Sequence, residues 1–552
     1  MKRVLLFALS LFSCFSPAFA LTDICDISVG PDAKAAAFAL GEQVSVSMGY
    51  VTDEPGGIRI FARPFTNGSL TPGYGASGSP VYTGSGTANG TFTINSGAAV
   101  VDEIRIEVYN ADQSQLLRRM WIPVNFRFGS VGVNNLKFSD NPELSSMLLG
   151  EDYFCSFHYN VNYPGGVRIF VRPFTNGNIT PGYSASGSGI YTGNGTNGGG
   201  SFRINTGKNV HVDAVRIKIV SADQTVDIDE FFIPVNVYYS TVKITDIAPQ
   251  SGNFPFNNED RIVSFQYSTT ESGGVRIFPR PWTNGALTPN YGASGSGLYT
   301  GSGSGNGTFT ITSGNQRVDH IRFNVTNADQ SETLLQIWSP VEYCFGNMLI
   351  ENVQLCPASP ARLEHDNRVN INYGIYNDEG QPVRIFVRPF TQGSPTPAYA
   401  ASPSPAYAVG SGLADDYFTI TSGGVVVDQL RFQITTDDQS TVLAEYFIPV
   451  QYTFGNPTVS VNDALNILES TSLYPNPAGD VAFLSVSLQK EALARAYVTD
   501  LSGRCVLELG QRKLSALTPE QFQIPTSSLH PGLYIVVLEG EQFRQSSKLV
   551  VE

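Results

Sequence analysis

The chain has 552 residues, 15% of them charged, with 54 glycines, 11% aromatics and a net charge of −14. The length allows several domains, and so little charge speaks against long solvated helices; Gly, Ser, Thr and aromatics in this proportion suit short strands joined by many turns. A surface this acidic repels phosphate backbones, which argues against nucleic acid as a partner and for plain solubility.

The N-terminus opens with Lys2 and Arg3 and an apolar stretch from Val4 to Phe12, too short for a lasting membrane anchor. Ala18-Phe19-Ala20 has the small-x-small spacing of a signal-peptidase site. Residues 1–20 therefore read as a signal peptide cut after Ala20, and loss of Lys2 and Arg3 takes the charge from −14 to −16. A rival reading makes Leu11-Phe12-Ser13-Cys14 a lipoprotein box that tethers the chain through Cys14. No later segment is long and apolar enough for a membrane helix, so no transmembrane span is expected.

One pattern then recurs four times. It reads GGIRIFARPFTNGSLTPGYGASG from Gly56, GGVRIFVRPFTNGNITPGYSASG from Gly165, GGVRIFPRPWTNGALTPNYGASG from Gly273 and QPVRIFVRPFTQGSPTPAYAASP from Gln381. The leading arginines, Arg59, Arg168, Arg276 and Arg384, are 109, 108 and 108 residues apart. That period is the size of a domain with its own core, so the expected units are 21–130, 131–240, 241–347 and 348–456, each folding alone like beads on a string.

In the first unit, the predicted elements start with a strand near Ile27, followed by one over 43–51 with Val44, Val46 and Met48 on one face. The 57–64 strand puts Ile58, Ile60 and Ala62 inward and Arg59, Phe61 and Arg63 outward. After a Thr/Asn/Gly/Pro-rich loop come strands over 80–82, 90–95, 100–109 (Ile104, Ile106 and Val108 inward) and 116–128. About seven strands in about 108 residues predict an immunoglobulin-like or fibronectin-III-like β-sandwich, without the Cys…Trp…Cys signature of antibody domains.

Several polar positions persist in all copies. Asp102/Arg105 recurs as Asp213/Arg216, Asp319/Arg322 and Asp428/Arg431, and the turn Asp112-Gln113-Ser114 recurs with the same spacing, as turn chemistry requires. Outward Arg and aromatic side chains can stack on sugars or hold carboxylates; alternatively they make ion pairs with Asp102 and Glu107 and cover the sheet. The TNGxxTPxYxASGS loop has the Tyr/Asn/Ser/Thr make-up of adaptable recognition loops, and equally that of ordered turns. Candidate ligand-binding residues are therefore Arg59, Phe61, Arg63, Asn67 and Tyr74; Arg168, Arg172, Asn176 and Tyr183; and Arg276, Arg280, Asn284 and Tyr291.

Five cysteines follow the signal peptide: Cys25, Cys155, Cys344, Cys356 and Cys505. No C-x-x-C pair suggests zinc or redox chemistry; the open choices are a bridge between the neighbouring Cys344 and Cys356, or free buried thiols. His158, His211, His320, His365 and His530 are scattered, and no hydrolase, zinc-protease or phosphate-loop motif is present. Asp227, Asp229 and Glu230 hint at calcium but lack the EF-hand spacing and occur in one copy, so solvated charge explains them better. No metal, cofactor or catalytic site is expected, and four like domains point to binding by multiplicity rather than catalysis.

Past Gly455 the repeat stops; residues 457–471 read as a linker and 472–552 as a small β-domain. It carries Tyr474-Pro475-Asn476-Pro477, Asp500-Leu501-Ser502-Gly503-Arg504, Pro531-Gly532-Leu533-Tyr534 and Lys548-Leu549-Val550-Val551. In this order these motifs resemble the type A C-terminal sorting domain of the type IX secretion system of Bacteroidetes, with His530 as a small departure before Pro-Gly. The resemblance implies the secretion machinery as a partner, passage through the periplasm and across the outer membrane, removal of the domain, and release or attachment to surface lipopolysaccharide. Enzymes and adhesins both carry such tails. The expectation is thus a secreted or cell-surface multi-repeat binding or adhesion protein with a polysaccharide or protein ligand; alternatives are a carbohydrate-binding module array and, third, a hydrolase.

Overall fold

The computed structural model describes residues 22–31, 35–254 and 257–455 and, toward the C-terminus, 468–474, 481–488, 492–499, 505–514, 520–526, 529, 532–540 and 544–551. The expected signal peptide, Cys14 and the cut after Ala20 lie outside the described residues, as does the expected linker up to the strand that starts at Leu468.

All regular elements among the described residues are strands. Repeat 1 contains β1 (Thr22–Gly30), β2 (Ala35–Ala39), β3 (Gln43–Thr52), β4 (Ile58–Thr66), β5 (Ser69–Leu70), β6 (Tyr74–Ala76), β7 (Gly84–Ile94), β8 (Ala99–Asn110) and β9 (Leu116–Gly129). They form two sheets, β1-β3-β7-β6 and β2-β9-β8-β4-β5, and the same two orders recur in the other three repeats. Between the sheets lie the alternating side chains Val44, Val46 and Met48 of β3, Ile58, Ile60 and Ala62 of β4, and Ile104, Ile106 and Val108 of β8, all buried. Period-two alternation on a half-buried strand demands this, and it makes the chain a series of β-sandwiches. Two expectations are corrected. Residues 80–82 form no strand but a single bridge, Tyr82 to Ile58, and β2, β5 and β6 are additional short strands.

β2 explains how the repeats join. Its sequence, AAAFA, is buried throughout because both of its faces are covered. Ala36 and Phe38 belong to the core of repeat 1, whereas Ala35 and Ala37 pack into that of repeat 2. β2 runs parallel to β9, and Ala37 also pairs with Val133 of the next repeat. Farther along, Lys208 meets Glu332 at 2.5 Å, the Gln336 amide donates to Asn209 Oδ1 at 2.9 Å, and Asn315 Nδ2 donates to the Leu443 carbonyl at 3.1 Å.

The fourth repeat then returns to the first, so the units are not beads on a linear string. The strand Ala361–Leu363 pairs antiparallel with β9, placing Arg362 opposite Trp121 and Leu363 opposite Met120. Arg362 stacks 3.8 Å over the Trp121 ring and donates to Glu103 Oε1 at 2.8 Å, and Arg119 pairs with Glu364 at 2.7 Å. Beneath them the buried Arg118 bonds to Asp23 and to the Arg368 carbonyl, while Asn370 Nδ2 donates to Asp23 Oδ2 at 2.7 Å. The buried apolar residues of repeats 1 and 4 form one cluster. A disulfide between Cys25 and Cys356, with Cα atoms 5.0 Å apart, closes the circuit. Cys356 is therefore not joined to Cys344; Cys344 and Cys155 are buried.

Repeat 4 also holds a buried polar group. Where repeats 1 to 3 have Gly90, Gly200 and Gly307, it has Asp416, which accepts hydrogen bonds from Tyr373 at 2.6 Å and from Ser402. Burial raises its carboxyl to about 6. A folded-state value above the unfolded one means the folded chain holds the extra proton, so this group's contribution to stability is fully present below about pH 4 and is lost as pH rises through about 6. The expected loss is about 3 kcal/mol at most. Denaturant unfolding of Asp416→Asn against wild type at both pH values should show this component vanish; identical pH slopes would contradict it.

Candidate functional site

The TNG loop begins as a hairpin. Asn67 (φ 49°) and Gly68 (φ 74°) both have left-handed backbones, the type I′ arrangement that favours Asn-Gly between antiparallel strands. Asn176-Gly177, Asn284-Gly285 and Gln392-Gly393 repeat it. The Asp102 carboxylate accepts the Asn67 amide at 2.7 Å, and Asp213, Asp319 and Asp428 do the same in their repeats. Thr66 and Thr71 share a 2.8 Å hydrogen bond, and Thr71 is fully buried. Ser79 Oγ accepts the Ile60 amide of one sheet at 2.8 Å, and Ser77 Oγ accepts the Thr91 amide of the other at 2.9 Å. The loop thus straps the open edges of both sheets together, and these serine contacts recur in all four copies.

The leading arginine is a clamp. Arg59 Nε donates to the Ala111 carbonyl at 2.7 Å and Nη1 to that of Ser79, tying the Asp-Gln-Ser turn to the loop. Arg168 does this with Ala222 and Ser188, Arg276 with Ala328 and Ser296, and Arg384 with Asp437 and Ser404. In the turn, Asp112 Oδ1 accepts from Ser114, and these hydrogen bonds lower its carboxyl below the usual value. The second arginine is committed in part: Arg63 Nη1 bonds to the Ala62 carbonyl at 2.8 Å with its guanidinium 5.0 Å over Phe61, and Arg172 and Arg280 repeat this over Phe170 and Phe278. Tyr74, Tyr183 and Tyr291 are half-buried at the end of the sandwich.

What remains is the outer face of the β4-β8-β9 sheet. Strand register builds a three-by-three array of side chains there. In repeat 1 the rows are Phe61/Glu107/Arg119, Arg63/Arg105/Trp121 and Phe65/Glu103/Pro123. In repeat 2 they are Phe170/Lys218/Glu230, Arg172/Arg216/Phe232 and Phe174/Ala214/Pro234. Repeat 3 has Phe278/Asn324/Gln336, Arg280/Arg322/Trp338 and Trp282/His320/Pro340, and repeat 4 has Phe386/Gln433/Glu445, Arg388/Arg431/Phe447 and Phe390/Gln429/Pro449. The central arginine lies over an aromatic ring every time, at 4.3, 4.8, 4.6 and 4.8 Å. Arg105, Arg216 and Arg431 also pair with Glu107, Glu230 and Glu445, at 3.0, 3.6 and 3.3 Å. Of the two carboxylates offered from sequence as partners, then, Glu107 pairs with the central arginine and Asp102 caps the hairpin.

Sequence reasoning picked out the β4 side of this array and the β8 arginines with Glu107, but not the β9 column, because strand pairing, not spacing, brings Trp282, Arg322 and Trp338 together. The three acids considered for calcium separate: Asp227 meets Lys218 at 2.8 Å, Asp229 meets Arg127 at 2.5 Å and Glu230 meets Arg216.

The C-terminal region has a three-stranded sheet of Leu468–Tyr474, Ala482–Leu488 and Glu520–Ile524, and a four-stranded one ordered Cys505–Leu514, Ala492–Thr499, Gly532–Gly540 and Arg544–Val551. Tyr474 ends the first strand, Gly532, Leu533 and Tyr534 open another, and Lys548 pairs with Ile535 in the last. Pro475, Asn476, Pro477, Gly503 and Arg504 lie outside the described residues, as do His530 and Pro531. Residues 472–552 match the family model of the secretion system C-terminal sorting domain. The tail is a type IX sorting domain. This sorting domain marks the chain for export by the type IX machinery to the cell surface or beyond. No helix among the described residues is long and apolar enough to cross a membrane.

No curated protein matches the sequence. Among solved structures the chain is similar to Escherichia coli α2-macroglobulin, with 10% identity over 97% of this chain and 40% of that one and a TM-score of 0.23. The N-terminal eight immunoglobulin domains of the Down syndrome cell adhesion molecule match with 9% identity, 97% and 70% coverage and a TM-score of 0.19. Invasin, a bacterial integrin-binding protein, matches with 10% identity, 81% and 83% coverage and a TM-score of 0.14. The chain spans less than half of the macroglobulin's length, and scores this low say nothing of what it binds.

Proposed function

We propose that the exported protein is a non-enzymatic binding or adhesion protein, released or attached to surface lipopolysaccharide once the sorting domain is removed. The observation that supports this is the outer array. One scaffold, fixed by the same clamps, straps and hairpins, carries a different set of aromatic, basic and acidic side chains in each repeat; in repeat 1, Trp121, Glu103 and Arg119 are taken up by Arg362 and Glu364 of repeat 4, so the faces open to a ligand are those of repeats 2 to 4. Tyr74, Tyr183 and Tyr291 extend these faces at the loop end. A carbohydrate-binding array is the second reading, favoured by the paired tryptophans of repeat 3. The test is retention of the purified exported protein on insoluble polysaccharides, host matrix proteins and neighbouring bacterial cells. Retention on at least one is expected; retention on none would leave a passive spacer.

A further inference from the structure

The third array differs from the others in charge. The positions that carry Glu107 in repeat 1, Glu230 in repeat 2 and Glu445 in repeat 4 are Asn324 and Gln336 in repeat 3, which bond to one another at 3.4 Å. Arg280 and Arg322 stand directly opposite each other across the strands, and among the described residues neither has a carboxylate partner. Like charges in that relation repel, and burial, with Arg322 adding to it, holds the Arg280 guanidinium below its ordinary value. Arg280 is steadied by the Pro279 and Ser294 carbonyls at 2.8 and 3.0 Å. Arg322 forms no hydrogen bond among the described residues and rests 4.6 Å over Trp282, whose ring meets that of Trp338 edge to face at 6.2 Å. Two of the chain's three tryptophans are thus on this one face, all half-buried, beside an unneutralised pair of cations in a protein of net charge −14.

We infer that the outer face of repeat 3, formed by Phe278, Arg280, Trp282, Arg322 and Trp338, is a binding site for an acidic polysaccharide whose sugar rings carry carboxylates. This rests on the reading of the repeats as a binding array. A guanidinium fork matches a carboxylate in charge and geometry, and indole faces accept the C–H faces of pyranose rings. Three strands by three outward positions cover roughly 13 by 10 Å, space for two or three linked sugars. The ligand supplies the negative charge that the other repeats build into themselves.

The test uses the full exported protein and polygalacturonate, with fully methyl-esterified polygalacturonate as the uncharged control. Gln336→Glu installs the residue found at this position in repeats 2 and 4, so the fold tolerates it, and it should pair with Arg322. Binding to polygalacturonate is expected to weaken at least tenfold in Gln336→Glu and in Arg322→Gln, to survive in Arg322→Lys better than in Arg322→Gln, and to fall with added salt. Wild-type protein should ignore the esterified polymer. Equal binding by Gln336→Glu and wild type, or equal binding of the two polymers, would overturn the inference. So would a wild-type protein that ignores polygalacturonate yet is retained on other material, while the binding function itself would stand; retention on nothing would remove both.

Discussion

Removal of residues 472–552 is expected to abolish surface delivery and leave the four repeats in the periplasm. The sorting domain has its own buried cluster, built from residues such as Leu484, Val498, Phe522 and Leu549, which shares no member with the clusters of the repeats. The truncated protein should therefore melt as the intact repeats do, so a delivery defect would report sorting rather than misfolding. Protease shaving of intact cells with fractionation reads the result: a drop of at least tenfold in surface-exposed protein, matched by periplasmic accumulation. Normal surface delivery of a well-folded truncation would contradict the assignment.

The second large effect belongs to the closure. Cys25 and Cys356 are 331 residues apart, and a cross-link over a loop that long restricts the unfolded chain by about 6 kcal/mol in the chain-entropy view. The Cys25→Ser/Cys356→Ser variant should lower the melting midpoint of the unit formed by repeats 1 and 4, and protease should reach the Ala361–Leu363 strand sooner. Repeat 3, whose buried cluster has no member from repeats 1 and 4, should keep its transition, whereas repeat 2, which takes Ala35 and Ala37 from β2 into its core, should feel the change through that strand. Differential scanning calorimetry with limited proteolysis checks this; an unchanged first transition would show that Arg118, Asp23 and the shared core hold the junction without the covalent bond. The buried ion pair belongs in the same experiment, because removing Asp23 leaves Arg118 charged and half-satisfied, a change that typically costs several kcal/mol.

Much of the sandwich was legible in the residues, since strict alternation in β3, β4 and β8 specifies an inner and an outer face by itself. β2 was not, because AAAFA is apolar at every position and a strand covered on both sides has no period to detect. The composition of the hairpin at Asn67-Gly68 fits a recognition loop and an ordered turn alike; the positive φ angles, and the Asp102 carboxylate that caps the turn from β8, give those residues an architectural role. The arginines show the reverse. Their spacing pointed to an exposed basic face, but which of them are clamped, neutralised or open depends on partners on β8 and β9, some 40 to 60 residues later. The pairing of Cys25 with Cys356 rests on the return of repeat 4 to repeat 1, and nothing local announces it.

That return sets an order of events during folding. A chain emerging N-terminus first can complete repeats 2 and 3 as they appear, but the Met120–Trp121 stretch of β9 keeps an unpaired edge, and Arg118 and Asp23 lack part of their shell, until the Ala361–Leu363 strand and the Arg368 carbonyl exist. Arg118 and Arg368 are 250 residues apart, so at ordinary rates of synthesis that interval is roughly 12 to 50 seconds. Through it, the first sandwich made is the one most exposed to mispairing with a second copy of itself, and the last sandwich made is what relieves it.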